Sequence, residues 1–218
     1  MIPYVTVEQM REIDRLAVEY GISILQMMEI AGRSIALHAR EMVGPSKIVC
    51  LVGKGNNGGD ALVAGRHLSS WGANVSFICA SDTGNEYVIH QRATIEALGL
   101  PLLADGWQDA LDQADLIIDG LLGVVRGDPH GTVAELIEMT AGRILAVDCP
   151  SGLDADTGHE GSPCIQATHT VTLTLPKQGL RHAPAAGKVF VADLGLPPQI
   201  FKRVGVPIPR FTSDIVPL

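Results

Sequence analysis

The chain has 218 residues, of which 46% are apolar and 18% charged, so it can build one substantial core and is not a disordered protein. A net charge of −8 and an aromatic content of 4% exclude a surface that binds polyanions and a stacking platform for single-stranded nucleic acid. No apolar run is long enough to cross a bilayer, and the N-terminus lacks the pattern of a signal peptide. We therefore expect a cytoplasmic protein with no nucleic-acid or membrane partner.

The chain begins with a helical lead-in. Thr6 and Gln9 have the spacing of a capping box, and apolar residues then recur at helical period until Gly21. A second helix is predicted from Ser23 to Met42, followed by a stop at Gly44-Pro45. We interpret its methionines as core residues and not as a ligand-binding group.

Strand and helix patterns alternate after this lead-in, which predicts a mostly parallel sheet in a three-layer αβα Rossmann-like sandwich. In such sheets ligands bind beyond the carboxyl ends of the strands. Strands are predicted at Lys47–Val52, Asn74–Ala80, Pro101–Leu103, Leu116–Leu122, Arg143–Val147, His169–Leu175 and Lys188–Asp193. Helices are predicted at Gly59–Trp71, Glu86–Leu98, Trp107–Ala114 and Val133–Thr140.

The last segment, residues 197–218, is rich in proline and is predicted to be a loop or surface arm of a single domain spanning 1–218. The four cysteines lack metal-site spacing, and three of them lie in or at the end of apolar strand patterns. Free, buried thiols are therefore expected, which fits a reducing cytosol.

The first predicted strand runs into a glycine-rich loop, Gly53–Asp60, with a helix after it. Four glycines allow tight turns and close approach of the backbone to a ligand, and a helix N-terminus suits a phosphate. The loop lacks the Walker pattern, and its match to the dinucleotide fingerprint is limited to the glycines. A turn capped by Asn and Asp side chains is the structural alternative.

Two further strands end in carboxylates, Asp119 and Asp148, and Ser151 follows the second in an irregular Pro-Ser-Gly turn. These side chains can project into one crevice with Asn57. A capping role on a solvated turn is the alternative for Asp119. Lys177 follows another strand and is either a cation of the site or a surface lysine.

Asp154 and Asp156 resemble the start of a calcium loop, but the other ligands of that pattern are missing, and turn formation is the better interpretation. The histidines show no metal-ligand spacing, and no nucleophile–base pair is recognisable.

Taken together, the chain resembles the NAD(P)H-hydrate epimerase family, the YjeF N-terminal domain. The matching blocks occur in family order and span almost the whole sequence. They are Met27–Gly32, Gly53–Asp60 with the Leu-Val-Ala and Arg-His-Leu that follow it, Asp119–Gly123, Val147–Gly158, Pro176–Leu180 and Asp193–Pro197.

The resemblance implies an isomerase, commonly a homodimer, that epimerises C6 of hydrated NADH or NADPH so that a separate dehydratase can repair the S form. It implies one potassium ion held by Asn57, Asp119 and Ser151, whose oxygen donors suit a hard cation. It also implies binding of substrate by the glycine-rich loop, by the loop opening at Gly123 and by Asp148, and we add Lys177. The substrate-binding set is then Asn56, Asn57, Gly58, Gly59, Asp60, Gly123, Val124, Val125, Arg126, Gly127, Asp148 and Lys177.

Asp148 is also the predicted catalytic residue. The hydrated C6 is a hemiaminal centre, which inverts either by ring opening and closure or by loss and return of water. Both routes need a group that takes up and returns a proton, and a carboxylate tuned by burial and a nearby cation can do so.

Three positions depart from the family pattern: Ala61 replaces a glycine, Ile30 replaces an asparagine, and the loop Gly123–Gly131 is shorter and lacks a Gly-Thr-Gly. The altered loop is what would favour a non-catalytic nucleotide-binding or interaction module, whereas the retained Asn57, Asp119, Asp148 and Ser151 favour the enzyme. A generic dinucleotide oxidoreductase is the third possibility, but its fingerprint acid is not convincingly present.

Overall fold

The computed structural model describes residues 2–44, 46–124 and 127–218. Seven strands form one sheet in the order β2-β1-β3-β4-β5-β6-β7, and every neighbouring pair is parallel except β6 and β7. The strands are β1 Lys47–Val52, β2 Asn74–Cys79, β3 Leu116–Gly120, β4 Ile144–Val147, β5 His169–Leu173, β6 Lys188–Ala192 and β7 Ile215–Pro217. The helices are α1 Val7–Glu19, α2 Ile24–Val43, α3 Asn56–Ser70, α4 Glu86–Ala97, α5 Trp107–Asp112, α6 Thr132–Met139 and α7 Pro198–Val204, with 3-10 turns at Gln178–Arg181 and Pro184–Ala186.

Strand β1 shows why the sheet lies between two helical layers. Its residues alternate between two cores: Ile48 and Cys50 pack with α1, α2 and α3, whereas Val49 and Leu51 pack with α5 and α6. A strand that buries both faces needs this continuous apolar run. The predicted three-layer αβα Rossmann-like sandwich with a helical lead-in is confirmed.

The two lead-in helices begin as predicted. Thr6 caps α1 and Ser23 caps α2, each in a reciprocal capping box with the glutamine three residues later. Each box satisfies two N–H groups that a helix start leaves unpaired.

The glycine-rich loop is tighter than predicted, because α3 begins at Asn56 and not at Gly59. The N–H groups of Gly58 and Gly59 already bond to the carbonyl of Gly55. A Cβ on Gly53 would overlap the Leu121 carbonyl, and a Cβ on Gly58 would overlap the Gly53 carbonyl. Glycine at these two positions therefore allows β1, the following turn and α3 to pack closely.

The prediction of a loop or arm after Pro197 is wrong. Pro198 opens helix α7, which buries Ile200 and Phe201, and β7 pairs with β6 at the sheet edge. Proline is favoured in the first turn of a helix and is tolerated on edge strands, so Pro198 starts α7 and Pro217 ends β7, while Pro207 and Pro209 lie in the segment between these elements. The predicted short strand at Pro101–Leu103 is reduced to an isolated bridge between Phe77 and Leu102.

All four cysteines are free thiols, as predicted, although Cys79 and Cys164 are only half-buried. No helix of the described residues combines the length and apolar character that a membrane span requires.

Candidate functional site

Two adjoining cavities lie at the carboxyl edge of the sheet. The small cavity has a volume of about 150 Å³ and lies between α1, α2 and the ends of β4 and β5. The large cavity has a volume of about 780 Å³ and lies beyond β1 and β3. Asn56, Asn57, Val124 and Asp148 line both cavities, so one extended ligand can occupy the two at once.

Asp148 and Lys177 form a buried ion pair at this junction. Lys177 is 1% exposed, and its ammonium also bonds to Thr172 Oγ1 and the Leu173 carbonyl, each at 3.3 Å. Asp148 Oδ1 accepts two further bonds of 3.0 Å, from Thr172 Oγ1 and the Leu173 N–H. Among the described residues nothing donates to Asp148 Oδ2. One carboxylate oxygen therefore fixes the side chain while the other stays available to a ligand.

The backbone at Asp148 adopts a conformation that is unusual for its residue type. Its φ is +63°, and the N–H of Cys149 bonds back to the Val147 carbonyl at 2.7 Å. Thr174, at the end of the neighbouring strand, repeats this arrangement with φ of +61° and a 2.7 Å bond from Leu175 to Leu173. Bonds of this i→i+2 type with positive φ belong to strained γ-turns, which persist where the surrounding fold enforces them. Both turns direct residues into the small cavity.

Asp119, Ser151 and Asn57 form a second polar cluster beneath the large cavity. Asp119 is fully buried and accepts bonds from Ser151 Oγ at 2.6 Å, the Ser151 N–H at 2.8 Å and the Leu121 N–H at 3.2 Å. Asn57 Nδ2 donates to the carbonyls of Leu122 at 3.0 Å and Val147 at 2.6 Å. The cluster therefore ties together α3 and the ends of β3 and β4.

Burial is the largest effect on the pKa of Asp119 and raises it to about 6, while the bonds from Ser151 and Leu121 oppose that rise. This carboxyl is thus not the solvated cap that was the alternative interpretation. Lys177, likewise, is not a surface lysine.

Two helix starts face the large cavity, those of α3 and α6. The cap residues, Gly55 and Gly131, offer no side-chain acceptor to the first-turn N–H groups, and both line the cavity. Lys54 and Asn85 also line it. Unsatisfied N–H groups and the positive ends of two helix dipoles make this wall suitable for a phosphate-bearing ligand.

Most of the predicted substrate-binding residues line a cavity. Asp60 and Lys177 line the small one, and Gly123 and Gly127 the large one, in addition to the four shared residues. Gly58 and Gly59 line neither: Gly58 packs on Gly53, and a Cβ on Gly59 would lie 2.5 Å from Met28 Cε. Val125 and Arg126 lie outside the described residues.

Two of the departures from the family pattern now have a structural setting. A Cβ on Gly120 would lie 2.5 Å from the Ala61 Cβ, so the methyl group of Ala61 fills space that Gly120 leaves. Ile30 is 42% exposed, and its side chain lines neither cavity.

Asp154 forms a turn, as predicted, whereas the Asp156 side chain bonds to the first residue of α1. Asp154 Oδ1 accepts the N–H groups of Asp156 and Thr157, and Asp156 Oδ1 accepts the Val7 N–H at 2.8 Å. Over the part of the chain that the structure describes, no group of three or more His, Cys, Asp or Glu side chains has metal-site geometry.

Sequence reasoning missed three polar residues of the small cavity, Arg11 and Asp14 on α1 and Thr174 after β5. Asp14 had a detectable signal, because it lies four residues after Met10 and three before Ala17 and so falls on the buried face of an amphipathic helix. Thr174 had none, because its positive φ is set by the packed strand ends.

Known proteins resemble this chain along most of its length. Residues 24–179 match the family model described as YjeF-related protein N-terminus. The chain is 38% identical to an NAD(P)H-hydrate epimerase of Dehalogenimonas lykanthroporepellens, covering 93% of this chain and 86% of that protein. It is 31% identical to one of Puccinia graminis, covering 97% and 91%.

A bifunctional NAD(P)H-hydrate repair enzyme of Moorella thermoacetica is 40% identical, and the match covers 90% of this chain but only 41% of that protein. The crystal structure of the yeast protein ynu0 superposes with a TM-score of 0.84 over the whole of both chains at 23% identity, which supports the fold. The family match and the near full-length relatives agree with the order of the sequence blocks, and this chain belongs to the family of YjeF-related protein N-terminal domains.

Proposed function

We propose that this protein is an NAD(P)H-hydrate epimerase, an isomerase that interconverts the R and S forms of hydrated NADH and NADPH. Family membership and the names of its near full-length relatives support the reaction. The observation that carries the proposal is the Asp148–Lys177 pair, buried where two cavities of unequal size meet.

The two cavities match the two ends of such a substrate. A volume of about 150 Å³ is what a benzene-sized ring occupies, and the small cavity has apolar walls that include Met27 and Met28. The large cavity falls in the size range of ligand pockets and carries the two helix starts. We therefore place the hydrated nicotinamide ring in the small cavity and the pyrophosphate toward the large one. The predicted substrate-binding residues that line these cavities would hold it, namely Asn56, Asn57, Asp60, Gly123, Val124, Gly127, Asp148 and Lys177.

Asp148 is the proposed catalytic residue. Its Oδ1 is held by Lys177, Thr172 and the Leu173 N–H, so Oδ2 can take the proton of the C6 hydroxyl without a change of rotamer. Ring opening followed by closure on the other face would invert C6. Loss and return of water is the alternative route through the same site.

Potassium fits the second polar cluster. Asn57, Asp119 and Ser151 offer oxygen donors beside the carbonyls of Leu122 and Val147, and the cluster carries a single carboxylate. Oxygen ligands with low total charge suit a hard monovalent cation. A potassium ion held there would supply a fixed positive charge under the turn that begins at Leu121.

We also propose that the protein acts in the cytoplasm as a homodimer, and that a separate dehydratase consumes the S form. Bifunctional relatives in which a matching segment makes up part of a repair enzyme support a functional link to such a partner.

The test is incubation of the purified protein with the separated R hydrate and, in parallel, the S hydrate, in potassium or in tetramethylammonium buffer. We expect both forms to reach the same mixture faster than without protein, and faster in potassium. The Asp148→Asn variant is the matched control. Interconversion at the protein-free rate in both buffers, by a protein that is folded, would refute the proposed function.

A further inference from the structure

The small cavity contains more carboxyl groups than the proposed chemistry has used. Asp14, Asp60 and Asp148 all line it, together with the cations Arg11 and Lys177. They come from α1, α3 and the end of β4, so the tertiary fold brings together residues that are far apart in sequence. Neither Asp14 nor Asp60 accepts a hydrogen bond from any of the described residues.

Asp14 is the half-buried member of this group. Desolvation is the main influence on its pKa, which rises to about 6; Lys177 lowers it and Asp148 raises it. These interactions place Asp14 within electrostatic reach of the Asp148–Lys177 pair. A carboxyl whose pKa is near 6 is well suited to give up and take back a proton near neutral pH.

Thr174 gives independent support for a polar ligand in this cavity. Its side chain is 2% exposed and lines the cavity, yet its Oγ1 has no hydrogen-bond partner among the described residues. A buried hydroxyl left without a partner is costly, and such groups are rare in folded proteins. This hydroxyl is therefore available to bond with a polar group of a ligand in the cavity.

We propose, on the basis of the proposed function, that Asp14 is a second catalytic residue, which exchanges a proton with the ring nitrogen of the hydrated nicotinamide while Asp148 exchanges one with the C6 hydroxyl. The two carboxyls line the same ring-sized cavity from different elements. That arrangement lets one accept a proton while the other donates one.

Ring opening and closure by this route conserve both protons and electrons. Asp148 takes the hydroxyl proton, the C6–O bond becomes a carbonyl, and the electrons of the C6–N bond move to the nitrogen, which takes the proton of Asp14. Rotation of the aldehyde presents its other face. The nitrogen then attacks C6 and returns its proton to Asp14, and the carbonyl oxygen takes back the proton held by Asp148.

Asp60 is a weaker candidate for this role because it is more deeply buried. It is 5% exposed, and its pKa lies well above the ordinary value. Burial is the largest cause, and repulsion by the charges of Asp148 and Asp14 adds to it. Asp60 is therefore less accessible to solvent for the exchange of a proton. Asp14 keeps contact with solvent, through which its protonation state can be reset.

The test compares Asp14→Asn with wild type and with Glu12→Gln, a control on the exposed face of the same helix. We expect Asp14→Asn to lower kcat about 100-fold or more, since acid–base catalysis contributes about 10²–10⁴. Its KM and its affinity for intact NADPH should change less than about threefold, and thermal unfolding should show a folded protein. Asp14→Glu should restore part of kcat, and Glu12→Gln should behave as wild type.

The pH profile adds a readout that a structural role would not move. The charged groups facing Asp14 are Asp60, Asp148 and Lys177, with Arg11 on its own helix also lining the cavity. Because Asp14 must start protonated, wild-type kcat/KM should fall as the pH rises above about 6. This fall in kcat/KM at higher pH should be absent from the residual activity of Asp14→Asn and present in Asp60→Asn.

The outcomes separate the two proposals. If the wild type is active and Asp14→Asn keeps its kcat, or loses only affinity for substrate, the role of Asp14 is overturned and the proposed function stands. Uptake of one solvent oxygen at C6 on every turnover in ¹⁸O water also overturns it, because that is the signature of water elimination. A wild-type protein that does not epimerise overturns both.

Discussion

Two groups of buried or half-buried carboxyls lie at the same edge of the sheet and differ in how they are hydrogen-bonded. Asp119 accepts three bonds, from Leu121 and from both donors of Ser151. Asp14 and Asp60, in the small cavity, accept none from the described residues. Burial is nevertheless the largest cause of the pKa rise in all three.

The comparison shows that a raised pKa does not by itself identify a reactive group. Asp119 and Asp14 both reach a pKa of about 6, but the first is surrounded by fixed donors and the second faces a cavity. A carboxyl whose donors are all internal holds the structure together or holds an ion, whereas one that lacks donors is available to a ligand. We expect the two groups to respond differently to mutation.

The largest effect should come from Asp148→Asn, which acts on both catalysis and folding. Epimerisation should fall by about 10²–10⁴, and the free energy of unfolding by about 3–5 kcal/mol, because Lys177 is left buried without its counter-charge. Urea unfolding and the R-to-S assay measure these two losses separately.

The double variant Asp148→Asn/Lys177→Met serves as the control for this prediction. It should recover most of the lost unfolding free energy without recovering activity, because the unpaired charge is gone but the base is still missing. Recovery of activity would show that Asp148 is a structural partner of Lys177 and not the base.

The next largest effect concerns Asp119, the carboxyl that accepts three hydrogen bonds. Ser151→Ala removes a donor to Asp119 and the acceptor of the Leu122 N–H, and should lower the free energy of unfolding by about 1.5–3 kcal/mol. Potassium should also accelerate this variant less than it accelerates wild type.

Ser34→Ala is a suitable comparison for Ser151→Ala, since Ser34 is buried and, within the described part of the chain, its hydroxyl bonds only to the Ile30 carbonyl one helical turn away. Its loss should be below about 1 kcal/mol, because no charged partner is left behind. Equal losses in the two variants would mean that the Asp119 cluster is not specially stabilised.

The smallest effect is a pH dependence of stability at Asp14. Its pKa is raised in the folded protein, so the folded state binds more protons than the unfolded state between about pH 4 and 6, and stability falls as the pH rises through that window. Because the pKa of Asp14 rises from 3.8 to about 6, its effect on the free energy of unfolding is at most about 3 kcal/mol, and solvent screening reduces it because Asp14 is only half-buried.

Asp14→Asn removes this dependence and should therefore gain stability relative to wild type as the pH rises from 4 to 7. Denaturant unfolding at a series of pH values measures the difference. A constant difference between the two proteins across this range would mean that Asp14 is solvated, and would remove the contrast with the fully bonded Asp119.

Much of this architecture follows from local patterns. Apolar runs such as Lys47–Val52 determine strands buried on both faces, and capping boxes at Thr6 and Ser23 determine where two helices begin. Because parallel strands end at one edge, the positions of Asp119 and Asp148 could also be predicted from the chain alone.

The tertiary structure decided what these side chains do once they meet. Lys177 is a buried counter-ion because β5 lies next to β4, and Asp14 belongs to the cavity because α1 packs against the strand ends. The bond from the Val7 N–H to Asp156 spans 149 positions of sequence. Such long-range contacts depend on how the elements pack, which local sequence patterns do not specify. The same holds for the two γ-turns and for the helix and strand after Pro197.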